Sequence, residues 1–199
     1  YTTGQVTLTS VSDTVANITV IDALTTSEVT MASASITVTD QITKAQADTI
    51  NAYTTGQVVL NSSSMTVTEL AAVEALNDSE MKFADDGAIS VSDAATKANA
   101  DTINAYTTGQ VTLTSVSDTV ANITLIDGLT TSEVTMAAAT VSISDTGATK
   151  AQVDAVNAFT TGTVTPTSLT EDRADIATLQ GTTGISLATT NITVTDQVT

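Results

Sequence analysis

YTTGQVTLTSVSDTVANIT, residues 1–19, returns unchanged as residues 106–124. A diverged copy, YTTGQVVLNSSSMTVTEL, begins at Tyr53, and a fourth, FTTGTVTPTSLTEDRADI, begins at Phe159. The starts at 1, 53, 106 and 159 set a period of 52 to 53 residues. Self-similarity at such a period marks a repeat architecture, in which a unit buries its apolar face only against its neighbours. The chain therefore reads as one array over residues 1–199, with long repeats 1–52, 53–105 and 106–158 and a partial repeat 159–199.

Each long repeat divides into two similar halves. In the first, Val6-Thr-Leu8 leads to Asp13, then TVANITVIDAL, then Thr25-Thr26-Ser27. In the second, VTM and ITVT lead to Asp40, then QITKAQADTINAY, then Thr54-Thr55-Gly56. Alternation in Val6-Thr-Leu8-Thr and Ile36-Thr-Val38-Thr predicts strands with hydroxyls on one face. Val15, Ile18, Ile21 and Leu24 predict one short helix, and Ile42, Ala45, Ile50 and Tyr53 another. Asp13 and Asp40 stand where an N-cap belongs. Thr66-Val-Thr-Glu69 reads as a capping box. Gly56, Gly109 and Gly162 follow the helix ends, where a left-handed residue is cheapest.

These elements predict an α/β solenoid of stacked coils of about 23 to 30 residues, with parallel strand ladders and one short helix per coil. The alternative is an all-β parallel solenoid. Seven coils, with an eighth starting at Ile192, would span about 35 to 40 Å at about 4.8 Å per strand step. Val6, Val58, Val111 and Val164 are expected to point inward along one line. Asp85-Asp86-Gly87, in the coil with one extra residue, predicts an enlarged corner. Pro166 predicts an interrupted or edge strand.

Composition limits the function. Twenty-two acids against five bases give a net charge of −17. That sign opposes nucleic acid, whose binding needs phosphates neutralised by Lys and Arg, and it opposes an anionic membrane surface. No apolar run is long enough to insert in a membrane as a helix. Ser and Thr make up roughly a third of the chain, and Cys and His are absent. A thiolate zinc site, a cysteine nucleophile and a histidine general base are thereby excluded. No phosphate loop, nucleophile elbow or dinucleotide fingerprint is present, so we expect no enzyme. A polysaccharide-cleaving enzyme would need acids outside the repeat, and Asp85-Asp86 and Glu171-Asp172 alone break the pattern.

Several repeated residues carry two readings. Asp13, Asp40, Asp93, Asp118, Asp145 and Asp196 are helix caps or, stacked, a calcium line; we favour caps. Asp85, Asp86 and Asp93 are the best local candidates for a cation, calcium by its oxygen preference. Tyr1, Tyr53, Tyr106 and Phe159 share one position. They read as a packing ladder, against which stands a row of sugar-stacking platforms. As a buried ladder, Tyr106→Ala would cost about 3 to 5 kcal/mol. Lys44, Lys97 and Lys150 each precede an acid by four residues, which makes exposed helix pairs. Thr7/Thr9, Thr37/Thr39, Thr112/Thr114 and Thr193/Thr195 would form rows that resemble ice-facing ladders, or simply a solvated β face. Glycosylation acceptors stand at Asn17, Asn61, Asn77, Asn122 and Asn191.

The phrases ITVTDQITKAQADTINAYTTG and VTLTSVSDTVANIT resemble tandem repeats of very large secreted or cell-surface proteins of bacteria, notably cyanobacteria. The resemblance covers the whole chain. It implies an extracellular or cell-surface, adhesin-like or fibre-forming context and carries over no catalytic residue. The glycine-rich calcium motif of related toxin-type repeats is absent. A structural segment is the expectation, with a module binding glycan, calcium-bridged partners or ice as the alternative. By phase, Thr199 matches Thr43 and Tyr1 matches Tyr53. The array is thus expected to continue past both, and the isolated piece to self-associate end to end.

Overall fold

The architecture comes from a computed structural model that describes residues 4–24, 28–76, 78–129 and 133–196. Tyr1, the 25–27 turn and Asn77 lie outside the described residues. The chain packs as two compact units: Tyr1–Ser90 with Ile103–Gln110, and Val91–Thr102 with Val111–Thr199.

The first unit contains β1 (Val6–Thr7), β2 (Ser10–Asp13), α1 (Val15–Asp22), β3 (Val29–Thr30), β4 (Ser35–Ile42), α2 (Lys44–Asn51), β5 (Val58–Met65) and α3 (Val67–Glu74). Next come β6 (Met81–Ala95) and α4 (Lys97–Asn104), each with residues in both units. The second unit continues with β7 (Val111–Asp118), α5 (Val120–Asp127), β8 (Val134–Thr135), β9 (Thr140–Ile143) and α6 (Lys150–Asn157). It closes with β10 (Val164–Pro166), β11 (Ser168–Glu171), α7 (Arg173–Gly181) and β12 (Asn191–Val194). In the first unit the sheet order is β2-β4-β5-β6, with β1 on β3. In the second it is β6-β7-β9-β10, with β8 on β7 and β11 on β12.

The pairings β1–β3, β2–β4, β4–β5, β7–β8, β7–β9, β9–β10 and β11–β12 are all parallel. Short helices connect successive strands, so the class is parallel α/β and the all-β alternative does not hold. Apolar residues of the strands form the core. Val58, Val111 and Val164 are fully buried, as the repeat requires, whereas Val6 is 40% exposed. Pro166 behaves as expected: the ladder breaks after it, and the chain resumes as β11. The corner at Asp85–Gly87 lies inside β6: the strand runs Met81–Ala95, yet the chain folds sharply there, since a Cβ on Gly87 would lie 3.1 Å from Ala84 O.

The helices are narrower than the spacing suggested. Residues three apart advance 300° on a helix, so each falls 60° behind the last. Of Val15, Ile18, Ile21 and Leu24, only Ile18 is buried, and Leu24 is 42% exposed. Two-turn helices place one i, i+3 pair on the sheet: Ala47/Ile50, Leu70/Val73, Ile123/Ile126 and Val153/Val156. Ile42 belongs to the strand, and Tyr53 lies beyond the end of α2.

The caps differ from expectation as well. Thr14, Thr43, Thr66, Thr119 and Thr149 are the N-caps, not the aspartates before them. The Thr66–Glu69 capping box forms, and Thr43–Gln46 and Thr149–Gln152 repeat it. The motif glycines are also not left-handed, since only Gly147 and Gly184 have positive φ among the described residues. They are glycine because of crowding. A Cβ on Gly56 would lie 2.3 Å from Ala34 O, one on Gly109 2.4 Å from Asp86 O, and one on Gly162 2.1 Å from Ala139 O.

Gly162→Ala should therefore destabilise by about 3 kcal/mol, as forced overpacking against backbone does. Gly181→Ala, with nothing within 4 Å of its new methyl, should instead gain a few tenths of a kcal/mol from helix propensity. Urea titration of the two variants measures both.

Candidate functional site

The chemistry-bearing residues concentrate at contacts between segments about 20 to 25 residues apart in the chain, and two sets recur. The first is an acid that reaches back to the preceding helix. Asp40 Oδ1 accepts the Val15 N–H at 2.9 Å, and Asp118 Oδ2 accepts the Lys97 N–H at 2.8 Å. Asp145 Oδ2 accepts from Val120 N at 2.6 Å, Glu171 Oε1 from Lys150 N at 2.5 Å, and Asp196 Oδ1 from Arg173 N at 3.0 Å. In every case the donor is the first residue of a helix 21 to 25 residues earlier. That N–H has no partner within its own helix, and the helix N-terminus favours a negative charge.

The second set is Thr-Thr-Gly. Thr54 Oγ1 donates to Ala34 O at 2.6 Å and accepts the Gly56 N–H at 2.9 Å. Thr107 repeats this on Gly87 O at 2.6 Å and Gly109 N at 2.8 Å. Thr160 repeats it on Ala139 O at 2.7 Å and Gly162 N at 2.9 Å. These three threonines are buried. The next threonine, Thr55, Thr108 or Thr161, spends both its N–H and its hydroxyl on a carbonyl of the preceding turn. The sequence reading took the motif as a turn. Its signal was the constancy of the first Thr beside a Gly that needs no positive φ.

Asp118 does the most. Oδ1 also accepts from Thr119 N and Asn122 Nδ2, both at 2.8 Å. Burial opposes its charge, but the N–H of Lys97, the Asn122 amide and the Thr119 N–H together hold the carboxyl below its usual value. Asp13, with the Asn17 amide and the Thr14 N–H, is likewise lowered. Asn17 and Asn122 are thus engaged as acceptor sites for sugar would not be, while Asn61 and Asn191 are exposed.

The cation candidates are divided. Asp85 and Asp86 sit on β6 in the first unit and Asp93 in the second. Asp85 is 92% exposed and lies 3.5 Å from Lys82 Nζ. Among the described residues no three His, Cys, Asp or Glu side chains gather to hold a metal ion. Of the acids outside the repeat, Glu171 caps Lys150 N and Asp172 is the N-cap of α7, whereas Asp85 is exposed. The lysine pairs form as expected, Lys44–Asp48 at 2.5 Å, Lys97–Asp101 at 2.6 Å and Lys150–Asp154 at 2.5 Å.

The aromatic ladder is only half-buried at Tyr53, Tyr106 and Phe159. Tyr106 lies parallel to buried Phe83, centroids 6.2 Å apart. Burial, and then the charge of Glu74, raise its phenol pKa. Shallow clefts open beside Tyr53, with Asp22 and Thr30, and beside Tyr106, with Asp85 and Asn104. The hydroxyl rows are real but short. Ser117, Ser142 and Thr165 align across β7, β9 and β10, while Val59 interrupts the row of Ser12 and Thr37. Thr114 is not free, since its hydroxyl donates to Val91 O at 2.7 Å. No family model, no curated protein and no solved structure matches the chain.

Two outcomes follow from this geometry. Tyr106→Ala should cost about 1 to 2 kcal/mol, the range of one aromatic contact plus partial burial, well below the value for a buried ring. Asp118→Asn should cost roughly 1 kcal/mol at neutral pH, through weaker charge-assisted bonds. The folded carboxyl titrates lower than the unfolded one, near pH 3.9. Its contribution is whole above that pH and is lost as pH falls through the folded value. Denaturant midpoints of wild type and variant should therefore draw together as the pH falls below the unfolded value and through the lower folded one.

Proposed function

We propose that the chain is a structural repeat segment. Its coils stack in chain order as an α/β solenoid. The segment serves as spacer, stalk, filament or surface-layer material of a large extracellular or cell-surface protein. The observation that carries this reading is that the side chains best placed for chemistry are spent on the backbone of the preceding coil. The acids at 40, 118, 145, 171 and 196 cap helices, and the threonines at 54, 107 and 160 bind carbonyls. A binding site is built from residues that differ from their repeat equivalents. Here the equivalents named do the same work wherever they recur, with Met65 the exception in the diverged copy. The acidic surface keeps a long array soluble, and the resemblance to bacterial surface repeats supports the location.

One observation favours a second reading, a binding module. Ser142 and Thr165 of the hydroxyl row line a shallow groove with Ser115, Thr140, Val141 and Thr163. Glycan or ice would meet hydroxyls there.

Deleting residues 53–105 separates the two readings. The joint keeps the repeat in phase. A scaffold should stay folded and lose about a quarter of its unfolding enthalpy, the share of residues removed. It should also show no saturable response to calcium or to a glycan array, with or without the deletion. Collapse of the shortened chain, or saturable ligand binding by the full one, would contradict the scaffold.

A further inference from the structure

Three junctions within the chain are built alike. Ile36 N donates to Gln57 O at 2.8 Å, Ile89 N to Gln110 O at 3.0 Å and Val141 N to Thr163 O at 2.8 Å. The first sets Ile36 opposite Val58, and the third sets Val141 opposite Val164. Ile36, Ile89 and Val141 are at most 2% exposed, and Val58, Val111 and Val164 are fully buried. The two sides of this junction occur once more in the sequence. ITVTD stands at 36–40 and again at 192–196, and YTTGQV stands at 53–58 and again at 1–6. At these last copies the apolar residues are uncovered: Ile192 is 41% exposed and Val6 is 40%. Val194, the counterpart of fully buried Val38, is 42% exposed. Among the described residues, β12 pairs with β11 and β1 with β3, which leaves each one further edge.

We propose that a second copy of this chain covers these faces. The β1 strand of one copy adds in parallel to the free edge of β12 of another, with Ile192 opposite Val6 and Thr193 opposite Thr7. The register is that of Ile36 on Val58 and Thr37 on Val59. The occupant is a second copy because both halves of the interface are already written in this sequence and already fit each other at Ile36 on Val58 and at Val141 on Val164. Strand addition supplies main-chain bonds, and the apolar pair supplies the contact that excludes water. The contact is heterologous, so it propagates head to tail rather than closing on itself. The inference rests on the stacked-coil reading above.

Disulfide trapping tests it. The sequence contains no cysteine, so introduced thiols are the sole ones. Partners on adjacent parallel strands lie about 5 Å apart at Cα, within disulfide reach. The full chain carrying Thr7→Cys and Thr193→Cys, oxidised mildly at about 100 µM, should give a non-reducing ladder of dimers, trimers and higher species. Val6→Asp in that background should cut the yield at least about tenfold, as a charge in an apolar contact does. Ser12→Cys with Thr193→Cys, out of register, should not link. A chain carrying Thr37→Cys and Val59→Cys should close within itself, and it reports on coil stacking alone. If that internal pair links while Thr7→Cys with Thr193→Cys stays monomeric, open or cyclised, docking is overturned and the stacking stands. If the internal pair fails to link, the stacked-coil reading fails, and the docking with it.

Discussion

A two-turn helix leaves its first N–H groups without internal partners, and no coil can satisfy all of them alone. The rest of the structure depends on how that deficit is met. At α5 and α6 the N-cap threonine takes one N–H, and an acid 25 or 21 residues further along the chain takes another. The helix start is thus completed by a distant residue, and Thr54, Thr107 and Thr160 do the same for carbonyls. Helix ends and long-range contacts form together, which suits helices too short to persist by propensity. The single break in the acid row is informative. Met65 stands where Asp13 and Asp118 stand in their copies, and it is fully buried. In the same strand Ser63 replaces Val11 and Val116, and its hydroxyl is buried with no partner. The diverged copy has exchanged polar junction for apolar packing at one position and the reverse at another.

Period, parallel pairing and helix-after-strand order were legible in the sequence. The repeat fixes register, and alternation with Val, Ile and Thr fixes the strand face, so Val58, Val111 and Val164 fall where expected. Helix faces were misread because a run of every-third apolar residues spirals off the core within two turns. Roles at the coil junction were misread for a different reason. Capping rules are local, and they assign Asp13 and Asp40 to the helix that follows each. The bond that matters for Asp40 lies 25 residues back, and a single sequence gives no sign of it. Gly56, Gly109 and Gly162 looked like helix ends because the usual reason for glycine is positive φ. Here the reason is a backbone carbonyl about 22 residues earlier in the chain, visible only in the folded chain.

The functional reading draws on the same economy. The carboxylates of Asp40, Asp118, Asp145, Glu171 and Asp196 and the hydroxyls of Thr54, Thr107 and Thr160 close backbone bonds. What remains exposed is acidic helix surface and short hydroxyl rows. On the proposed reading such a segment would set distance and direction for something else, its length changing by whole repeats without a change of chemistry. The apolar residues left uncovered at Val6, Ile192 and Val194 are those that every internal junction buries.

Amide hydrogen exchange at the first residue of each helix tests the central claim most directly. First-turn N–H groups ordinarily exchange with little protection. If carboxylates of the following coils hold them, the amides of Val15, Lys97, Val120, Lys150 and Arg173 exchange at least about tenfold slower than an unprotected amide of the same sequence. Asp145→Ala then releases Val120 while leaving Lys150 slow. Exchange of all five at unprotected rates, with the helix interiors still protected, would contradict the account.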